Sequence, residues 1–189
     1  MLKLENITVL FDDLKALDHV NMEFMEGKIT GIIGTNGSGK STLMKVMTKL
    51  LKPQEGSVYL DQQLIQDKKK DLFAYRQEVN MVFQNPEQQL FYTIAKDDIG
   101  MALENLGYPK EECEKRVQEA IELMDIKELQ DRPVQYLSYG QKKKVAIAGM
   151  LALKPRFLLL DEPTAGLDPK GRDQMAMIMK KLVSNGTSI

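Results

Sequence analysis

At 189 residues the chain is long enough for one domain with a sizeable core, or one domain carrying an insertion. Lysine and arginine total 26 against 27 acidic residues, a net charge of −1, so no overall basic field suggests nucleic acid as the main partner. The single cysteine, Cys113, excludes an internal disulfide, and no stretch approaches the roughly 18 apolar residues of a spanning helix. Flanked by Glu111, Glu112, Glu114 and Lys115, Cys113 is expected on an exposed or half-exposed helix face.

Met1-Leu-Lys-Leu-Glu-Asn6 goes straight into apolar/polar alternation without the apolar centre of a signal peptide. A soluble, cytosolic chain able to dock on a membrane protein is the expectation. Leu2, Leu4, Ile7 and Val9 open a strand-rich beginning, and Val20 to Phe24 alternates in the same way. Phe11, on this edge, fits strand packing and stacking on a nucleotide base about equally. The lone histidine, His19, is expected to be exposed and inert. Glu26-Gly27 makes the turn into Lys28-Ile-Thr-Gly-Ile-Ile-Gly34, a β-branched run that predicts a buried strand.

Gly34-Thr-Asn-Gly-Ser-Gly-Lys-Ser-Thr42 follows at once and fits the phosphate-loop pattern G-x-x-x-x-G-K-[ST]. Glycines let successive backbone N–H groups turn inward around a di- or triphosphate. Lys40 adds a charge that reaches the β- and γ-phosphates, and the Ser41 hydroxyl is a Mg2+ ligand. Leu43 to Leu51 is apolar at 43, 46, 47, 50 and 51, a helical face closed by Pro53. Strand, loop and helix are thus all in place, and that helix aims its positive end at the same anion.

Pro53 to Gly56 reads as a turn, Ser57 to Leu60 as a strand, and Lys68-Lys-Lys70 as part of a solvated connection. Val79 to Phe83 is another strand, and Gln84 stands at its C-terminal end, where open α/β sheets gather their ligand groups. From Asn85 to about Gln135 helical patterns take over, with candidate helices at Ile94–Leu106 and Lys110–Met124. This stretch is read as a helical subdomain inserted between two strands of a nucleotide-binding core. Ser138 is a plausible N-cap for a helix over Lys142–Leu153, and Lys142-Lys-Lys144 is expected on its solvated face. Phe157 to Leu160 is a buried strand ending in two carboxylates, Asp161 and Glu162, whose burial calls for a cation or positioned water. Thr164 to Pro169 is a turn, Lys170 to Val183 an amphipathic helix, and Thr187-Ser-Ile189 the opening of a further strand.

Taken in order, Gly34–Thr42, Gln84, Leu137-Ser-Tyr-Gly-Gln141, Phe157–Glu162 and Ala165-Gly-Leu-Asp168 resemble the nucleotide-binding domain of ATP-binding cassette (ABC) proteins. The resemblance covers essentially the whole chain. Val82 to Phe91, Leu137 to Gly149 and Asp161 to Pro169 resemble more closely the ATPases of cobalt importers and vitamin energy-coupling-factor (ECF) transporters. The fold this implies is α/β of the P-loop NTPase type. A mixed-sheet core carries an antiparallel β region at its N-terminus, spans 1–84 and 138–189, and holds an inserted helical subdomain over 85–137. The chain then looks C-terminally truncated, because the family's switch histidine falls beyond Ile189 and His19 cannot replace it.

The resemblance also implies roles. Gly34, Thr35, Asn36, Gly37, Ser38, Gly39, Lys40, Ser41 and Thr42 hold the ATP phosphates, and Phe11 stacks on adenine. Ser41, Gln84 and Asp161 serve Mg2+ directly or through water, and Glu162 is the general base or water-orienting group. Ser138, Gly140 and Gln141 act in trans on the nucleotide of a second ATPase subunit, with Asp168 at the seam. Tyr139 departs from the second glycine common at its position, so a differently shaped trans contact is expected.

The implied partners are a transmembrane coupling subunit, a membrane substrate-binding subunit and a second ATPase copy or homologue. The implied place is the cytoplasmic face of a membrane, with the coupling contact over Asn85 to Phe91. Two other readings compete. A soluble ABC ATPase acting on DNA or ribosomes lacks support from a basic surplus or a long heptad region. A small-molecule kinase leaves Ser138–Gln141 and Asp168 without a task.

Overall fold

The computed structural model describes residues 1–189. Strands β1 (Leu2–Phe11) and β2 (Leu14–Phe24) form a hairpin with Leu2 opposite Phe24 and Phe11 opposite Leu14. β3 (Glu55–Leu60) pairs antiparallel on the other edge of β1 and is followed by the two-residue β4 (Gln63–Leu64), giving the order β2-β1-β3-β4. Gly56 takes φ +91 against the Asn6 carbonyl, and an added Cβ there would lie 2.3 Å from that oxygen, so only glycine fits. A separate parallel pair joins β5 (Val79–Val82) to β6 (Phe157–Leu160). Ser188 bridges to Phe157 in parallel, as the opening of a strand at Thr187–Ile189 predicts.

Helices α1 (Lys40–Met47) and α2 (Lys69–Glu78) precede β5. α3 (Ala95–Asn105), α4 (Lys110–Met124) and α5 (Tyr139–Ala152) separate it from β6, and α6 (Pro169–Ser184) follows. The β5–β6 ribbon is the wall between two hydrophobic cores. Val79, Met81, Phe157 and Leu159 face Leu4, Ile7, Val58 and the Val46–Met47 side of α1. Val82, Leu158 and Leu160 face the other way, onto Ile99, Ile121, Ile147 and Ile178 of the four later helices. Burial on both sides explains why these strands are near-continuously apolar rather than alternating.

Several expectations need correction. Lys28–Gly34 is extended but is not a ladder strand, and Ile33 is 98% exposed. Its backbone partner is Ile189, through Thr30 N–H to Ile189 O at 2.7 Å and Ile189 N–H to Lys28 O at 3.0 Å, and two bonds make no ladder. Lys69 and Lys70 are helical rather than loop, because α2 docks on the end of α1: Tyr75 is buried and its hydroxyl donates to the Met47 carbonyl, and Arg76 donates to the Thr48 and Lys49 carbonyls. With so little apolar periodicity, α2 has almost no signature in the sequence. α1 also stops at Met47, short of Leu51, and α5 begins at Tyr139 rather than Lys142. Cys113 is buried, not exposed, its Sγ 3.5 Å from the Tyr108 carbonyl oxygen, because its face of α4 turns inward despite charged neighbours.

Candidate functional site

The loop between Gly34 and α1 is built by glycines at two strained positions, Gly37 (φ +80) and Gly39 (φ +90). Gly39 is the helix N-cap, and a Cβ on it would sit 2.4 Å from the Ala16 carbonyl of β2, so the hairpin holds the loop against α1. No acidic residue occupies the first turn of α1, which leaves its positive end for an external anion. The Lys40 ammonium lies inside the loop, donating to the carbonyls of Gly34 (2.9 Å) and Thr35 (2.8 Å). Asn36 and Ser38 are exposed on the loop, while Ser41 and Thr42 are half-buried in the first turn of α1.

β5 and β6 deliver the other groups. Their parallel register sets Val82 beside Leu160, so the residues just beyond each strand end side by side. Gln84 follows β5, Asp161 and Glu162 follow β6, and Gln84 Nε2 donates to Glu162 Oε2 at 2.8 Å. Lys40, Asp161 and Glu162 line one cleft of about 300 Å3. Asp161 is buried, and its carboxylate makes no hydrogen bond within the protein. Its oxygens are not buried but open on the cleft. With the Ser41 hydroxyl that follows Lys40 and the amide oxygen of Gln84, whose Nε2 bonds Glu162, the donor set is all oxygen, which suits Mg2+. The residues present therefore fit that ion. Glu162 takes φ +47, a left-handed conformation that costs a non-glycine residue about 1 kcal/mol or more.

The first turn of α5 forms a second, separate cleft of about 550 Å3, lined by Ser138, Gly140, Gln141 and Asp168 among others. Ser138 caps the helix as expected, in a reciprocal box. Its Oγ accepts from Gln141 N–H, and Gln141 Oε1 accepts from Ser138 N–H at 2.9 Å. Asp168 caps α6 by accepting from Gly171 N–H at 2.7 Å. Within one chain, then, Lys40 and the Ser138–Gln141 turn line different clefts. Phe11 lies outside both; at the tip of the β1–β2 hairpin it stands opposite Leu14 and is 48% exposed. His19 is exposed, its Nδ1 2.6 Å from Asp18 Oδ1.

The lysine run of α5 is not uniformly solvated. Lys143 is 1% exposed, and its Nζ donates to the carbonyl oxygens of Glu162 (2.9 Å) and Ala165 (3.2 Å). Burial pushes its ammonium below the ordinary lysine range, an effect that the charges of Glu162 and Asp161 oppose. Lys142 is half-buried and pairs with Glu87. Only Lys144 opens on the second cleft. The signal was available: position 143 shares a helical face with the buried Ala146 and Ile147. Tyr139 has no positive φ, so the missing glycine costs the backbone nothing. Its hydroxyl donates to the Gln84 carbonyl at 2.8 Å and its ring lies over Gly166.

A third depression of about 270 Å3 runs beside the loop before α3 and is lined by Leu90, Phe91, Tyr92 and Val134. The buried Asp98 carboxylate holds its rim by accepting from the N–H groups of Phe91 (2.6 Å) and Tyr92 (2.7 Å). Desolvation raises the Asp98 pKa despite those bonds. No helix of the protein is long and apolar enough to cross a membrane.

Comparison with known proteins agrees with this architecture. A family model described as ABC transporter matches residues 17–165. The cobalt import ATP-binding protein CbiO of Salmonella typhimurium is 46% identical over 189 residues, all of this chain and 70% of its own length. The energy-coupling factor transporter ATP-binding protein EcfA2 of Caldanaerobacter subterraneus is 44% identical over 96% of this chain and 65% of its own length. Among solved structures, cbiO1 of Clostridium perfringens, described as part of the ABC transporter complex cbiONQ, superposes with a TM-score of 0.85 at 41% identity. That match covers 97% of this chain and 72% of cbiO1. The ATP-binding cassette MJ0796, solved as a dimer with ADP and Pi, gives 0.87 at 32% identity over 100% of this chain and 85% of its own. The chain therefore belongs to the ABC transporter family.

Proposed function

We propose that this protein is the ATP-binding and ATP-hydrolysing subunit of a membrane importer of the cobalt or energy-coupling-factor type. The observation that carries the chemistry is the convergence of Lys40, Asp161 and Glu162 on one cleft, with Gln84 bonded to Glu162. Hydrolysis of a γ-phosphate requires positioning and charge stabilisation more than covalent chemistry. The N–H groups of Gly34–Thr42 cradle the phosphates and Lys40 releases its two carbonyls to bind the β- and γ-oxygens. Ser41, Gln84 and Asp161 would hold Mg2+, which would supply charge neutralisation to the bound phosphates. Glu162 accepts the proton of the attacking water, with the Gln84 amide orienting its carboxylate. Phe11 stacks on adenine from the hairpin tip.

Ser138, Gly140 and Gln141 bind the γ-phosphate held by a second ATPase subunit, which joins nucleotide occupancy to closure of the pair. That, within one chain, they line a cleft other than the one Lys40 lines supports this assignment. Residues 1–84 and 138–189 form the nucleotide-binding core and 85–137 the helical subdomain. The depression at Leu90–Tyr92, where Phe91 and Tyr92 are exposed, is the docking place of a transmembrane coupling subunit, which works with a membrane substrate-binding subunit. The protein so sits on the cytoplasmic face of the membrane. The cobalt-import relative supports cobalt as the cargo, and the resemblance to energy-coupling-factor ATPases adds another metal ion or a vitamin.

A tagged pull-down from detergent-solubilised membranes, read by mass spectrometry, tests the reading. A stoichiometric integral membrane protein, lost with Phe91→Glu, is the expected result. Ribosomal proteins or nucleic acid without a membrane protein overturns it.

A further inference from the structure

Tyr139 and Lys143 stand four residues apart on α5, so their side chains lie on one helical face, and the Lys143 Nζ sits 5.2 Å from the Tyr139 ring centroid. That face addresses both strand ends of the proposed catalytic site. The Tyr139 hydroxyl donates to the Gln84 carbonyl at 2.8 Å, after β5. Lys143 Nζ donates to the Glu162 and Ala165 carbonyls, after β6. The two residues so held are the two whose side chains bond each other across the strand ends, Gln84 to Glu162. Glu162 also carries the left-handed backbone, φ +47, that a non-glycine residue keeps only where its surroundings over-determine it. A buried ammonium donating to its carbonyl is such a constraint. Gly166 completes the fit: at φ +73 its missing side chain leaves room for the Tyr139 ring, since a Cβ would come within 2.9 Å of Cε1.

We propose that Tyr139 and Lys143 are positioning residues that clamp Gln84 and Glu162 of their own chain into the geometry for hydrolysis. Neither touches nucleotide in this account; each acts through a backbone carbonyl. The same turn carries Ser138 and Gly140, which line the second cleft, so displacement of that turn moves both clamping side chains together. The clamp rests on the reading of Glu162 as the group that activates water.

The test is steady-state ATP hydrolysis by the purified full-length protein and its Lys143→Met and Tyr139→Phe variants, with nucleotide affinity measured separately. Lys143→Met is expected to lower kcat on the order of a hundredfold, the scale of a displaced catalytic group, while KM and ATP affinity stay unchanged. Tyr139→Phe, which removes one oxygen from a partly exposed ring and folds, is expected to lower kcat about fivefold at unchanged KM. Wild-type kcat in either variant, or loss of ATP affinity in step with kcat, overturns the clamp. A wild type that neither binds nor hydrolyses ATP refutes the functional reading instead. The crystal structure of Lys143→Met then still decides: Glu162 leaving positive φ with loss of the Gln84 bond supports the clamp, and an unmoved Glu162 overturns it.

Discussion

The phosphate loop and the first turn of α5 bind by opposite means. Gly34–Thr42 presents backbone groups, Gly37 and Gly39 sit at φ values written directly into residue type, and it continues into the helix that completes it. The face of α5 bearing Tyr139 and Lys143 instead presents side chains to carbonyls far away in sequence, at Gln84, Glu162 and Ala165. A local backbone device has a spacing that can be recognised. A side-chain device that grips distant backbone has none, and a buried lysine within Lys142-Lys-Lys144 looks like a solvated one.

The largest effect that separates the two is Lys40→Ala. Loss of its charge-assisted bonds should weaken ATP binding on the order of a hundredfold, seen by fluorescent-nucleotide titration, whereas Lys143→Met should leave that titration unchanged. Gly166→Ala should come next. Positive φ and the Tyr139 ring both oppose the new methyl, so urea unfolding should report a loss of about 1–3 kcal/mol. In a Tyr139→Gly background part of that loss should vanish, because the ring is gone. An undiminished loss would leave only the backbone term and detach Tyr139 from Gly166.

Ser138→Ala should cost about 1 kcal/mol through its capping box, with Ser138→Gly milder. The smallest effect lies far from both regions. The Arg156 guanidinium and the N-terminal ammonium hold Asp61 down to about 2. Its folded value lies below its unfolded one, so its contribution is complete above the ordinary aspartate range and is lost as pH falls towards 2. The pair is exposed, so the effect is small and shrinks with salt. Asp61→Asn should flatten the pH dependence of the unfolding midpoint across that acid window relative to wild type.

Much of the fold was legible because its elements bury long apolar periodicities. α4 spans Lys110–Met124 as expected, α3 differs from expectation by one residue at each end, and the Ser138 cap sits where its residue type puts it. What escaped was tertiary. α2 is fixed by Tyr75 and Arg76 on the carbonyls that end α1, the inward turn of Cys113 is masked by charged neighbours, and Lys28–Gly34 carries strand-forming residues that the surrounding backbone pairs at only two bonds. At the candidate site, the sequence put Lys40 at the start of a helix and Gln84, Asp161 and Glu162 at strand ends, and the structure has them there or within two residues of it. The left-handed backbone of Glu162 could not be read there, because only its contacts impose it.

The most direct test of the central claim is Glu162→Gln, assayed for ATP binding and for hydrolysis in the presence of Mg2+. The amide keeps the shape of the side chain but cannot take a proton from water. ATP affinity at the wild-type level with kcat reduced on the order of a hundredfold or more is the predicted result. Hydrolysis at the wild-type rate would contradict the assignment and move the water-activating group elsewhere in the cleft.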